Sequence, residues 1–443
     1  MRKSNWGKRL AGSTLALSVF TSMILPTNVL ATDKREELKD FYQQLAESEK
    51  SGLYTSDLDF QLKENLIKDG VDTSTDEFQS LIIQFNELPM IEAKSQNDGL
   101  WKASVENAVQ KEHETFESFL SSISNERSSA YTIKHSYYNT FNGIALDVKG
   151  TDIEKLLESG VIKAVWKDEQ AFVEPEVNSE ESVAFGLNAD SRMASSTTLI
   201  EVDKLREEGL IGEGIKVGVL DTGVDYNHPD IADNFKGGYD LVDNDDDSME
   251  TTYDDWKNSG QQEYYGTSTY YTSHGTHVSG TIAATGSNKE SKFAVTGIAL
   301  EVDLYVYRVL GPYGIGSSSD IIAGVEKAVE DGMDVINLSL GVSVTDPLYP
   351  TSVACNNAAL AGTIAVAANG NAGSELSTLG SPGCSPLTIS VGASTTTIKL
   401  ETFDIAISNG DNINGRIVSK NYQGLSTFTD TEYEAVYGGL GTE

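Results

Sequence analysis

Apolar and polar positions follow two different rhythms along this chain, and the change between them divides it. In "QSLIIQFNELPM" the compact apolar run from Leu81 to Phe85 predicts a strand. From Leu100 to Ile123 the period is helical, through Trp101, Val105, Val109, Phe116 and Phe119. "YTIKHSYYNTFNGIALDVKG" reads as two strands broken at Asn142-Gly143, a turn pair. "TDIEKLLESG" predicts a helix opened by a capping box of Thr151 and Glu154 and closed on Gly160. Val161 to Trp166 is the last strand of this group. The order β-α-β-β-α-β predicts a small two-layer α+β domain of ferredoxin-like type over residues 80–175.

After a stretch with little ordering pattern, residues 176–198, the rhythm becomes strand–helix alternation. Short apolar runs, "IKVGVLD", "VDLYVYRVL", "MDVINLSLG", "TIAVAANGNAG" and "LTISVGAS", are separated by helix-like segments such as "DIIAGVEKAVEDG" and "ACNNAALAG". Continuous apolar strands joined by helices predict an α/β unit, a parallel sheet covered by helices on both faces, over residues 199–399. Such sheets gather their chemistry at the carboxyl ends of the strands, so Asp221, Asn337, Ser339 and Asn371 are the polar residues to inspect. The patternless segment between the two units is where processing of a precursor would occur.

The first 31 residues have their own character. Arg2, Lys3, Lys8 and Arg9 precede an apolar run from Leu10 to Leu25, and Val29-Leu30-Ala31 suits signal peptidase. An exported, extracellular protein is expected, followed by a polar pro-region over residues 32–79. No later segment is apolar enough to span a membrane. The net charge of −35, from 67 acidic against 32 basic side chains, argues against nucleic acid or anionic membrane as partner. In an oxidising compartment Cys355 and Cys384 could pair, closing a loop worth on the order of 3–4 kcal/mol. The bridge is favoured over two free buried thiols.

Chemistry concentrates in "SHGTHVSGTIAA". Its two histidines, His274 and His277, stand three positions apart in a chain that has five. A metal site fails on inspection, because no Glu follows the first histidine in the zinc-hydrolase manner and His113, His135 and His228 have no reason to converge. A base at a helix start fits better. Asp221, ending its strand, could hold the tautomer of His274 and stabilise the imidazolium. The small residues around them predict a helix packed closely on all sides, with His277 inside it.

Together "VGVLDTGVDYNHPDI", "SHGTHVSGTIAA", "INLSLG" and "VAANGNAG" resemble four consecutive signatures of the subtilisin-like serine proteases. Their order and separations fit, with 53 residues from Asp221 to His274 and 97 more to Asn371. The resemblance implies a subtilisin-like fold and peptide hydrolysis by an Asp-His-Ser triad. It makes Asp221 the orienting carboxylate, His274 the base, Asn371 the oxyanion donor and Ser339-Leu340-Gly341 a strand that binds substrate backbone. Polypeptides are then the substrates, and no cofactor is required for the chemistry.

"SYYNTFNGIALDVKG" and "LLESGVIKAVWKDE" resemble the inhibitory propeptide of the same family, which implies an intramolecular inhibitor. The family's Gly-Thr-Ser-Met-Ala serine motif does not follow Asn371, and neither Ser268 nor Ser426 has a suitable setting. Residues 400–443 resemble the opening of an inserted protease-associated domain. The expectation is therefore a precursor cut short before its nucleophile and inactive alone. A non-catalytic pseudoprotease that binds extended peptides is the alternative. Finally, eight acidic residues crowd between Asp240 and Asp255. They offer calcium the hard oxygen ligands it prefers, so structural calcium stands as an option, but a solvated acidic loop is favoured.

Overall fold

The computed structural model describes residues 66–91, 99–127, 131–173, 192–288, 296–373, 376–394, 402–406 and 412–416. The leader expected over residues 1–31, most of the polar pro-region and most of the linker at 176–198 lie outside the described residues. So does nearly all of the segment after residue 400, of which only the paired strands Thr402–Ala406 and Asn412–Arg416 are described.

The first unit has the expected order. Strand β1 (Phe78–Phe85), helix α1 (Gly99–Arg127), strands β2 (Tyr131–Tyr137) and β3 (Gly143–Lys149), short helix α2 (Ile153–Leu156) and strand β4 (Ile162–Lys167) follow in sequence. The strands form one antiparallel sheet in the order β2-β3-β1-β4. Alternation along β1 explains its two-sided burial. Leu81, Ile83 and Phe85 meet Phe116 and Leu120 of α1, while Ile82 joins Ala145, Ala164 and Trp166 on the opposite face. That second face packs into the core of the α/β unit that follows.

One local expectation is corrected. Thr151 and Glu154 form no capping box, and the residues that precede the short helices make no side-chain cap. The Thr151 hydroxyl turns instead to Asp76, which removes it from the helix start. Gly160 does close the segment in the left-handed conformation, as a C-terminal glycine should.

After β5 (Gln170–Val173) the α/β unit follows. Its strands are β6 (Lys216–Asp221), β7 (Phe235–Asp240), β8 (Asp303–Arg308), β9 (Ile315–Ser317), β10 (Val335–Leu338), β11 (Leu340–Gly341), β12 (Ile364–Ala368) and β13 (Ile389–Val391). Six of them form a sheet in the order β13-β12-β10-β6-β8-β7, parallel throughout. Helices α3 (His274–Ala283), α4 (Ser318–Glu330) and α5 (Pro350–Ala361) cover it. Val217, Val219, Leu304 and Val306 face α3, and Leu220, Tyr307, Ile336 and Leu338 face α4 and α5. A parallel sheet buried on both faces is the reason its strands are continuously apolar in sequence.

The expected disulfide is absent, and both cysteines are free. Cys355 points from α5 into the apolar core, where burial pushes its thiol up to about 12. Cys384 lies beside the Ser352 hydroxyl.

Candidate active site

Asp221 is the last residue of β6, fully buried at the carboxyl end of the sheet. One of its oxygens, Oδ1, accepts the Thr222 N–H at 2.8 Å and the Nδ1–H of His274 at 2.7 Å. The other oxygen has no hydrogen-bond partner among the described residues. A proton held on Nδ1 by a carboxylate leaves Nε2 as the basic nitrogen. The His274 side chain is 20% exposed, enough to be reached from the surface, whereas Asp221 is sealed beneath it.

His274 is the first residue of α3 because the helix is drawn onto the β6 loop. The Gly275 N–H donates to the Thr222 hydroxyl, and a Cβ on Gly275 would stand 2.1 Å from the carbonyl oxygen of Gly223. Only glycine allows that approach. The packed face of α3 carries Gly275, Ser279 and Ala283, spaced by four residues. His277 lies off that face and is exposed, contrary to expectation, so the helix is packed on one side and not all round.

The other expected residues sit at one groove. Ser339 follows β10, and its hydroxyl accepts from the Asn337 amide, itself inside the strand. Leu340 and Gly341 form β11. Strand β5 runs antiparallel between β11 and β9, pairing Val173 with Leu340, Phe172 with both Gly341 and Ile315, and Gln170 with Ser317. A segment of the chain's own N-terminal half therefore occupies the slot expected for extended peptide. A cavity of about 360 Å³ opens beside Phe172 and Val173, lined also by Gly341, Asn371, Ser268 and Tyr313. Ser268 reaches it from a short hairpin, in a setting that remains unlike a nucleophile elbow.

Strand β9, the second wall of the slot, was not anticipated. The run "GPYGIGS" carries its signal, since glycine here marks close backbone approach. A Cβ on Gly316 would stand 2.3 Å from the Val309 carbonyl oxygen, and one on Gly314 would stand 2.8 Å from the Val173 side chain.

The acidic cluster is for the most part solvated, with Asp243, Asp245, Asp246, Asp247, Asp254 and Asp255 exposed and only Asp240 and Glu250 buried, and it contains no group that could hold a metal ion among the described residues. Asp240 and Asp243 bind the guanidinium of Arg308, which is buried with Asp240. Asp255 caps the helix Tyr253–Ser259, and Glu250 is buried against the start of α3. Further along, Glu326 of α4 accepts the backbone N–H groups of Tyr138, Asn139 and Thr140 and the Thr140 hydroxyl, docking the first unit on the second.

Comparison with known proteins agrees with this geometry. The family described as peptidase inhibitor I9 matches residues 80–173, and the subtilase family matches residues 212–439. The chain is 34% identical over 375 residues to the minor extracellular protease Vpr of Bacillus subtilis (strain 168), covering 84% of this chain and 43% of that protein. It is 34% identical over 261 residues to subtilisin E of the same strain, covering 58% of this chain and 59% of that protein. It is 36% identical over 214 residues to a subtilisin of Bacillus pumilus, covering 48% and 68%. The chain thus spans about half the length of the first two relatives. With family matches over both its folded units, the chain belongs to the subtilase family of serine proteases and carries an I9-type inhibitor domain ahead of its protease domain.

Proposed function

We propose that the complete protein is a secreted serine endopeptidase, and that these residues hold its leader (1–31), pro-region (32–79), inhibitory propeptide (80–175), processing linker (176–198) and much of its catalytic domain. The observation that carries this reading is the 2.7 Å hydrogen bond from His274 Nδ1 to buried Asp221. In the reaction, His274 Nε2 removes the proton from a serine hydroxyl as its oxygen attacks the scissile carbonyl carbon. Asp221 stabilises the imidazolium, and Asn371 donates to the oxyanion. The imidazolium then returns its proton to the departing amine. The serine is not among these 443 residues in a Gly-Thr-Ser-Met-Ala setting, and we place it in further sequence of the complete protein. No cofactor takes part in these steps.

In the precursor, β5 lies where substrate backbone would lie, so the propeptide inhibits by occupying the groove. The test is peptide hydrolysis by the complete protein after propeptide removal, beside a His274→Ala variant. Hydrolysis by the parent alone supports the reading. Peptide binding without hydrolysis in both favours instead a pseudoprotease, the reading suggested by the missing serine motif.

A further inference from the structure

Helix α3 begins without a cap of its own. Ser273, the residue in the cap position, makes no side-chain hydrogen bond to the helix, although the first N–H groups of any helix lack internal partners. Two side chains from other segments supply them. Thr222 takes the Gly275 N–H at 2.9 Å, and Glu250 takes the Thr276 N–H at 2.8 Å. The same Glu250 oxygen accepts the Thr276 hydroxyl at 3.0 Å, and its second oxygen accepts the Thr272 hydroxyl at 2.6 Å.

Glu250 is only 6% exposed, and its partners among the described residues are neutral hydroxyls and one N–H. The Arg308 guanidinium nearby is taken by Asp240, Asp243 and Thr251. A carboxylate buried without a cation needs another source of positive potential, and the N-terminus of α3 provides it. The loop that carries Glu250 is laced to the residues just before His274, through Thr272 N–H to the Thr251 carbonyl and Thr251 N–H to the Thr272 hydroxyl.

We infer that Glu250 is a positioning residue for His274: it caps the helix that begins with the base and offsets the positive helix terminus that would otherwise disfavour the imidazolium. This rests on His274 being the base. Asp221 faces the ring from β6, and among the described residues Tyr271, Asp225 and His277 are further titratable side chains close to the helix start. Asp225 donates its N–H to the Thr276 hydroxyl. Asp221 acts directly on Nδ1, whereas Glu250 acts through the peptide groups. Its carboxylate both fixes where the ring starts and raises the ring's proton affinity.

The test is the NMR titration of His274 in this 443-residue chain, with parent, Glu250→Gln and Glu250→Ala compared. The glutamine keeps the shape and can still accept the Thr276 N–H. Removal of the charge is expected to lower the His274 midpoint by about half a pH unit in Glu250→Gln. Glu250→Ala is expected to lower it at least as far and to broaden the His274 resonance. A midpoint in Glu250→Gln within about 0.1 unit of the parent, a fifth of the shift sought, would overturn the inference, even where stability falls. Should the alanine variant lose its fold, the glutamine variant carries the test alone. In the complete protease, Glu250→Gln is expected to reduce kcat several-fold with KM unchanged. Absence of hydrolysis by the parent would count against the protease reading and leave the titration result standing.

Discussion

Phe172 lies in antiparallel register with Gly341, so a strand of the N-terminal half fills one edge of the groove that also holds Asn371. On its other side Phe172 pairs with Ile315. A proline at this position would remove a backbone donor from a strand paired on both edges, where proline is not accommodated. Phe172→Pro is expected to weaken inhibition of the mature protease by the isolated propeptide at least tenfold. The inhibition constant, measured with a small chromogenic peptide, checks it.

Docking away from the groove rests on Glu326. It is 8% exposed, and four donors of the propeptide loop converge on its carboxylate. Glu326→Ala would leave three backbone N–H groups without acceptors at a buried interface, a loss of about 2–4 kcal/mol, or roughly 30- to 1000-fold in propeptide affinity. Titration calorimetry of propeptide with the protease domain measures it directly.

His113 makes the propeptide domain sensitive to acid. It is buried between Phe85 and Tyr138, and its Nε2 shares a hydrogen bond with Asn142 Oδ1 at 3.1 Å. Its Nδ1 is buried and has no hydrogen-bond partner among the described residues. Burial holds this imidazole below its ordinary value of 6.5. The unfolded chain therefore binds the proton more tightly. The stability contributed by neutral His113 is present above pH 6.5 and is lost as pH falls from there through the lowered folded-state value. The neighbouring Glu112 is shifted upward by its own burial, a change of opposite sign. The contrast to measure is therefore parent against His113→Gln. The parent is expected to lose up to about 1.4 kcal/mol more per pH unit between pH 6.5 and 5. Denaturant midpoints of the propeptide domain at a series of pH values check it.

Much of this architecture was legible because it follows from local rules. The compact apolar run Leu81–Phe85, the Asn142-Gly143 break and Gly160 placed the propeptide elements, and the apolar runs placed the parallel strands. Asp221 and His274 stood out as candidates because one ends a strand and the other starts a helix, and in the structure the two side chains are in contact. What sequence could not reveal depends on partners far apart in the chain. Thr151 satisfied a local capping pattern, but Asp76 drew its hydroxyl away. His277 belonged to a run of small residues, yet only Gly275, Ser279 and Ala283 of that helix are fully buried and His277 is exposed. Most of the acidic residues from Asp240 to Asp255 are solvated as their polarity suggests, but the burial of Asp240 against Arg308, 68 residues away, is invisible to a local reading.

The central claim is that His274, oriented by Asp221, serves a serine nucleophile in the complete protein. The most direct measurement treats that protein, freed of its propeptide, with a serine-reactive fluorophosphonate and locates the label by mass spectrometry. The account predicts a single labelled serine, with labelling lost together with peptide hydrolysis in His274→Ala. A parent that neither hydrolyses peptide nor takes the label, or a His274→Ala variant labelled as fast as the parent, would contradict it.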